Sequence, residues 1–355
     1  MEKITIKGDD IYMNNAKDLK KYQIRTDLLV DVFDTLNTYD NIKTVKKEKN
    51  GINILEVTIQ DNLNDLNKKK GKYITISYED VTDKTNRKNL EEVLVEEIKY
   101  MLKALGIKHN HKCLVVGLGN HASTPDALGP KTVENVIVTR YLYEIENMNV
   151  DKNYRNVASF IPGVTGNTGI ESSDIILGIV EKIHPDFLIV IDALASSSMD
   201  RVNKTIQMTD TGINPGSGVY NNRKELSYEV LGIPVISIGV PTVIEAFVLV
   251  SDTIKYLLKH FSYNKENYNK NKLVPVTLRN YIDHEENLTE EEKNKLLGEI
   301  GNLTDEQVRE LIFEVLTPIG YNMMVTPKEV DFVIEKTSEV IANAINKSLH
   351  KKFDI

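Results

Sequence analysis

Four apolar, strand-length runs alternate with helical patterns through the middle of the chain, at 113–118, 156–161, 187–192 and 234–240. The intervening helical patterns cover 127–147, 170–184 and 242–260. In the second of these, Ile175, Ile176, Ile179, Val180 and Ile183 recur at helical spacing, and Pro185 then stops the helix. Continuous apolar strands separated by helices predict an α/β fold, a doubly wound, mostly parallel sheet flanked by helices. Upstream, the β-branched runs 52–60 and 73–78 predict two further strands. A helix is expected over 89–105, with Leu90, Val93, Leu94, Ile98, Met101 and Leu102 on one face. The Lys-rich run 68–72 reads as a solvated loop. The C-terminal third reads as helical, with capping boxes at Thr289/Glu292, Thr304/Gln307 and Thr326/Glu329.

Composition narrows the classes. The chain has 355 residues, a net charge of −8 and a single cysteine. An acidic balance argues against a nucleic-acid-binding surface, because phosphate contacts need clustered Lys and Arg. One cysteine allows no disulfide within the chain and points to a reducing compartment. Cys113 opens an apolar run and reads as a buried small hydrophobe. No apolar stretch approaches the roughly 20 residues needed to span a bilayer. Residues 1–27 read as a polar leader without the apolar core of a secretion signal.

Ligands of a doubly wound sheet bind at the carboxyl ends of its strands. Strand 113–118 leads into Gly119-Asn120 and on to Thr124-Pro125-Asp126, and strand 187–192 ends on Asp192. Two carboxylates in one cleft cannot both ionise cheaply, so one becomes an acid and the other a base around a water. Other roles stand beside that one: Asp126 is placed to cap the helix expected from Ala127, and Asp192 to orient a turn. Glycine loops flank the same rim at Gly117 and Gly119, at Gly163, and at Gly216 and Gly218. They suit a site that grips backbone, and they equally suit ordinary turns. Gly117 to Ala122 also fits a loose dinucleotide pattern, although Ser123-Thr124-Pro125 separates it from the following helix. The histidines are scattered, with no HExxH pair and no CxxC. His121, near Asp126, is the one histidine placed to join a metal site with the aspartates.

Several segments together resemble the germination protease family. They include Val115-Val116-Gly117-Leu118-Gly119-Asn120, Thr124-Pro125-Asp126-Ala127-Leu128-Gly129-Pro130-Lys131 and Pro162-Gly163-Val164. Ile191-Asp192-Ala193-Leu194-Ala195, Arg201-Val202-Asn203, Pro215-Gly216-Ser217-Gly218-Val219 and Met324-Val325-Thr326-Pro327 continue the match. The resemblance implies an atypical aspartic endopeptidase that needs no cofactor, with its essential aspartates at Asp126 and Asp192. It implies a fold similar to hydrogenase-maturation endopeptidases, a homotetramer, and small acid-soluble spore proteins as substrates in the spore core. It also implies a zymogen that removes its own leader. Arg25-Thr26-Asp27-Leu28 matches the family's processing region and places the cut between Asp27 and Leu28. The expected organisation is a propeptide at 1–27 and one peptidase domain at 28–355, with its core at about 110–260 and a helical part at about 289–350. Two alternatives stay open: a metal-dependent maturation endopeptidase of the same fold, and a nucleotide-binding protein using Gly117 to Ala122.

Overall fold

A computed structural model describes residues 27–33, 42–61, 68–145, 149–214, 224–267, 284–316 and 323–353. Of the leader, only Asp27 falls among them. The strands are β1 (Ile42–Lys49), β2 (Ile52–Ile59), β3 (Gly71–Ser77), β4 (Cys113–Gly117), β5 (Val157–Phe160), β6 (Phe187–Ser196), β7 (Thr205–Thr209) and β8 (Val235–Glu245). The first helices are α1 (Leu29–Phe33), α2 (Lys84–Ala104), α3 (Leu128–Glu134), α4 (Arg140–Glu144), α5 (Thr165–Thr168), α6 (Ser172–Ile183) and α7 (Tyr228–Leu231). The later ones are α8 (Ala246–Asn267), α9 (Glu290–Leu297), α10 (Asp305–Leu316) and α11 (Val330–Leu349). The described residues fall into two compact units, one within 26–244 and 325–355 and the other within 245–324.

The first unit holds a mixed sheet in the order β1-β2-β3-β7-β8-β6-β4-β5. From β8 to β5 the pairings are parallel. From β1 to β8 they are antiparallel. The parallel half is the one the alternating pattern predicts, with helices on both faces. Successive side chains of a strand point to opposite faces. Thus Cys113 and Val115 join Ile189, Ile191, Ile236 and Ile238 under α2 and α11. Leu114 and Val116 join Leu188 and Val190 under α6, through Ile176 and Val180. Each fully buried Ile or Leu contributes about 1.5–3 kcal/mol. Cys113 is buried as expected, and burial pushes its thiol pKa up, which removes it as a nucleophile. The antiparallel half was not placed by the sequence pattern. Its edge strand β1 is exposed and lysine-rich, which discourages pairing with another chain.

Four boundaries differ from the pattern, each for a local reason. β6 runs past Asp192 to Ser196 because Ala193 to Ser196 keep pairing with β8. β8 likewise continues to Glu245, so the helix expected from 242 begins at Ala246. The helix expected over 127–147 breaks at β-branched Val136 to Thr139, where the Ile137 N–H donates to Asn346 Oδ1 (2.8 Å) instead of a helical carbonyl. The Thr326/Glu329 box does not form. The Thr326 hydroxyl donates to the Thr242 carbonyl (2.8 Å), and α11 starts without a side-chain cap.

At the end of α11 His350 is fully buried. Its Nδ1 accepts from the Arg155 N–H (3.1 Å), so the ring's proton sits on Nε2, facing the Ile137 carbonyl (3.3 Å). Burial, with Arg155 beside it, holds the imidazole pKa below its ordinary value. The unfolded chain therefore takes up a proton that the folded chain refuses, and stability falls as pH drops below about 6.5. Thermal melting between pH 7.5 and 5.5 should show a shallower acid slope in His350→Gln than in the parent.

In the second unit α8 packs against α10. The Thr289/Glu292 capping box is fully formed, and Thr304 and Gln307 exchange the same pair of bonds (3.3 and 3.0 Å). Among the described residues no helix is long and apolar enough to cross a membrane.

Candidate active site

β4 and β6 are parallel neighbours, and Gly117 at the end of β4 lies opposite Ile191. The Leu118 N–H continues the ladder to the Ile191 carbonyl (2.8 Å). Asp192 is therefore the next residue along β6 at the point where β4 ends. It is buried (7% exposed), and one carboxylate oxygen accepts from the Ala193 N–H (2.9 Å). The chain leaving β4 curls back through a short 3-10 turn at Thr124–Asp126. There the Asn120 N–H donates both to the Asp126 carboxylate (2.8 Å) and to its carbonyl (3.1 Å). Asp126 does not cap α3, whose N-terminus lacks a side-chain bond. The Thr242 hydroxyl on β8 donates to the Pro125 carbonyl (2.7 Å) and fixes the turn from the other side. Asp192 thus stands on β6 level with the end of the adjacent parallel β4, and Asp126 in the turn that follows β4, each carboxylate accepting from a backbone N–H.

The glycines explain how the turn comes so close. Gly119 has φ +112°, and a Cβ there would lie 2.0 Å from the Asp126 carbonyl oxygen. At Gly117 a Cβ would lie 2.3 Å from the Gly129 carbonyl oxygen. Side chains at these positions would push the Asp126 turn and α3 off the sheet. The Asn120 side chain accepts from the Ala122 N–H (3.1 Å), and Thr124 is exposed. Gly163 lies in the loop after β5, and its carbonyl accepts from the Ser172 hydroxyl (2.9 Å) at the start of α6. Gly216 and Gly218 lie outside the described residues. The dinucleotide pattern is not realised as a phosphate loop. Eight residues, a 3-10 turn among them, separate its last glycine from α3, and the Asn120 N–H is taken by Asp126. His121 points to Glu134 (3.7 Å), and both side chains are more than half exposed. Among the described residues no three His, Cys, Asp or Glu side chains gather into a metal-binding group.

The segment around Asp27 and Leu28 lies on the same rim. The Asp27 N–H donates to the Ala195 carbonyl (3.2 Å), and the Ala195 N–H donates to the Asp27 carboxylate (2.9 Å). Leu28 is fully buried and clusters with Leu194. Asp31, also buried, accepts from the Ser197 N–H (2.7 Å) and the Ser196 hydroxyl (3.2 Å) and pairs with Arg201. Beside the segment lies a cavity of about 420 Å³, lined in part by Asp27, Lys68, Leu194 and Gly239. The run 68–72 is correspondingly not a plain solvated loop. Burial lowers the Lys68 pKa against the pull of Asp27 and Asp31, Lys69 pairs with Glu225 (2.5 Å), and Lys72 pairs with Glu56 (2.9 Å) at the start of β3. The sequence pattern assigns no role to Gln207 and gives Lys68 only a place in the lysine-rich run. The signal for the first was present: a lone amide between Ile206 and Met208 in a strand-like run.

Comparison with known proteins shows the family. The family model described as germination protease matches residues 19–355. A germination protease of Priestia megaterium is 45% identical over 361 residues, covering 96% of this chain and 98% of that protein. One of Bacillus cereus is 45% identical over 358 residues, with the same coverage. Among solved structures, a [NiFe] hydrogenase maturation protease HycI from Thermococcus kodakarensis aligns with 40% of this chain and 80% of its own, at 18% identity and a TM-score of 0.26. That value is too low to carry weight. The match over nearly the whole length, at this identity, means that the chain belongs to the germination protease family and is an endopeptidase.

Proposed function

We propose that this endopeptidase begins the digestion of small acid-soluble spore proteins during germination, and that it is made as a zymogen which cuts its own chain between Asp27 and Leu28. The observation that carries the zymogen reading is the docking of Asp27 on Ala195, three residues beyond Asp192 on the same strand. A chain segment paired with the strand that bears a candidate catalytic carboxylate is placed as a substrate would be. Its sequence, Thr26-Asp27-Leu28, imitates the cleavage sequence that the family resemblance implies.

Asp126 and Asp192 are the proposed catalytic pair. They share one proton and hold a water between them. One removes a proton from the water as it attacks the carbonyl carbon, and the other protonates the departing amine. Either carboxylate can take either role, so the two roles belong to the dyad. The same reading carries a homotetramer working in the spore core, on protein substrate rather than on nucleic acid or membrane.

Mass spectrometry of the full-length chain held for hours at mildly acidic pH tests this. The expected result is loss of residues 1–27 and cleavage of an added small acid-soluble spore protein. A chain that stays intact and leaves the added protein intact would overturn it.

A further inference from the structure

Gln207 is a buried amide on β7, and its two ends bind the backbone on either side of Leu28. Its Nε2 donates to the Asp27 carbonyl (3.2 Å), and its Oε1 accepts from the Leu29 N–H (2.6 Å). The Asp27 carbonyl is the carbonyl of the Asp27–Leu28 bond. We propose that Gln207 is the carbonyl-binding residue of the cleavage site, holding and polarising the peptide bond that the aspartates hydrolyse. This rests on the zymogen reading above.

The sheet register supports the assignment. Gln207 is paired with Gly239 of β8, and Gly239 with Asp192 of β6. Laterally paired residues present their side chains to the same face, so Gln207 and Asp192 face the same side, with a glycine between them. Their Cα atoms are two strand spacings apart, roughly 10 Å, a gap that two side chains and one peptide group can fill. Leu194 also lies on this face, over Gly239, and Leu28 packs against Leu194. The peptide bond held by Gln207 is thus laid along the row that contains Asp192. An amide is suited to the position because it supplies one donor and one acceptor without charge, matching a carbonyl and an N–H two residues apart. Neither bond reads a side chain, so the clamp recognises backbone.

In the reaction the water oxygen bonds to the Asp27 carbonyl carbon, and negative charge grows on the oxygen that faces Nε2. The C–N bond to Leu28 then breaks. One water hydrogen ends on the Leu28 nitrogen, and the other stays with the new Asp27 α-carboxyl group. A donor aimed at that oxygen lowers the barrier, and losing one such donor costs about 100-fold or more in rate.

The test is self-processing of the full-length chain, followed by mass spectrometry as a ratio to the parent rate across pH. Gln207→Glu keeps the shape and the acceptor for Leu29 but loses the donor when ionised. Its ratio should be about 0.01 at pH 7 and should climb toward 1 below roughly pH 4, where the protonated carboxyl again donates. The other ionisable groups around this side chain are Asp27, Lys68, Lys69, Tyr73 and Glu225 of the cavity and Asp192 of the row, and taking the ratio cancels their own titrations. Gln207→Met, an uncharged isostere, should lose a similar factor at every pH. A Gln207→Glu ratio near 1 at pH 7, a loss that does not change with pH, or a Gln207→Met chain that processes normally overturns the clamp. So does a parent cut at any bond other than Asp27–Leu28. Failure of the zymogen reading shows separately, as a parent chain that never cuts itself.

Discussion

Asp126→Asn and Asp192→Asn should each lower cleavage by roughly 10²- to 10⁴-fold, the range expected when a positioned acid or base is lost. Asparagine keeps the shape of each side chain and one acceptor oxygen. The Asn120 N–H can still bond at 126 and the Ala193 N–H at 192, so the turn and the strand stay in place. What disappears is the proton exchange between the two groups. The melting temperature should therefore move little while processing and substrate cleavage stop together. Self-processing of both variants at the parent rate would rule out the dyad. If only one variant is inactive, a single carboxylate works with another partner.

Gly119→Ala separates the geometry of the site from its chemistry, because it changes no ionisable group. The backbone at 119 has a left-handed φ of +112°, which costs a residue with a side chain about 1–3 kcal/mol. The new Cβ would also lie 2.0 Å from the Asp126 carbonyl oxygen, so the turn carrying Asp126 must move. A displacement near 1 Å in a catalytic group costs about 100-fold in rate. The expected result is a lower melting temperature and a loss of activity larger than that drop explains. Gly166→Ala in α5 serves as the control, since nothing lies within 4 Å of its added carbon and its φ is ordinary. Equal activity of the two variants would show that the Asp126 turn tolerates displacement.

The aspartates and the glycine loops were visible in the sequence because their residue types are unusual where they occur. A carboxylate after an apolar strand and a glycine pair at a strand end stand out against their surroundings. That Asp126 does not cap α3 was not visible. It depended on where the carboxylate found its N–H donor, and that donor is Asn120, behind it in the chain, rather than the helix ahead. The partial burial of Lys68 was hidden for a similar reason. A lysine among lysines reads as solvated unless the segment that covers it is known, and Asp27 lies 41 positions away by the numbering. Gln207 contacts Asp27 across 180 positions.

By itself the sequence determined the parallel half of the sheet, the helices on its two faces and the two aspartates at its rim. Periodicity and residue type report directly on which faces are buried. The tertiary structure alone decided that β3 and β7 extend the sheet in antiparallel fashion, and that β6 and β8 run on beyond the expected ends. It alone placed Asp27 on Ala195 and Gln207 on the Asp27 carbonyl. Each of these pairs segments far apart in the chain, most of them through backbone groups. Hydrogen bonds of that kind depend on register and not on side-chain character, and so leave little trace in the order of residues.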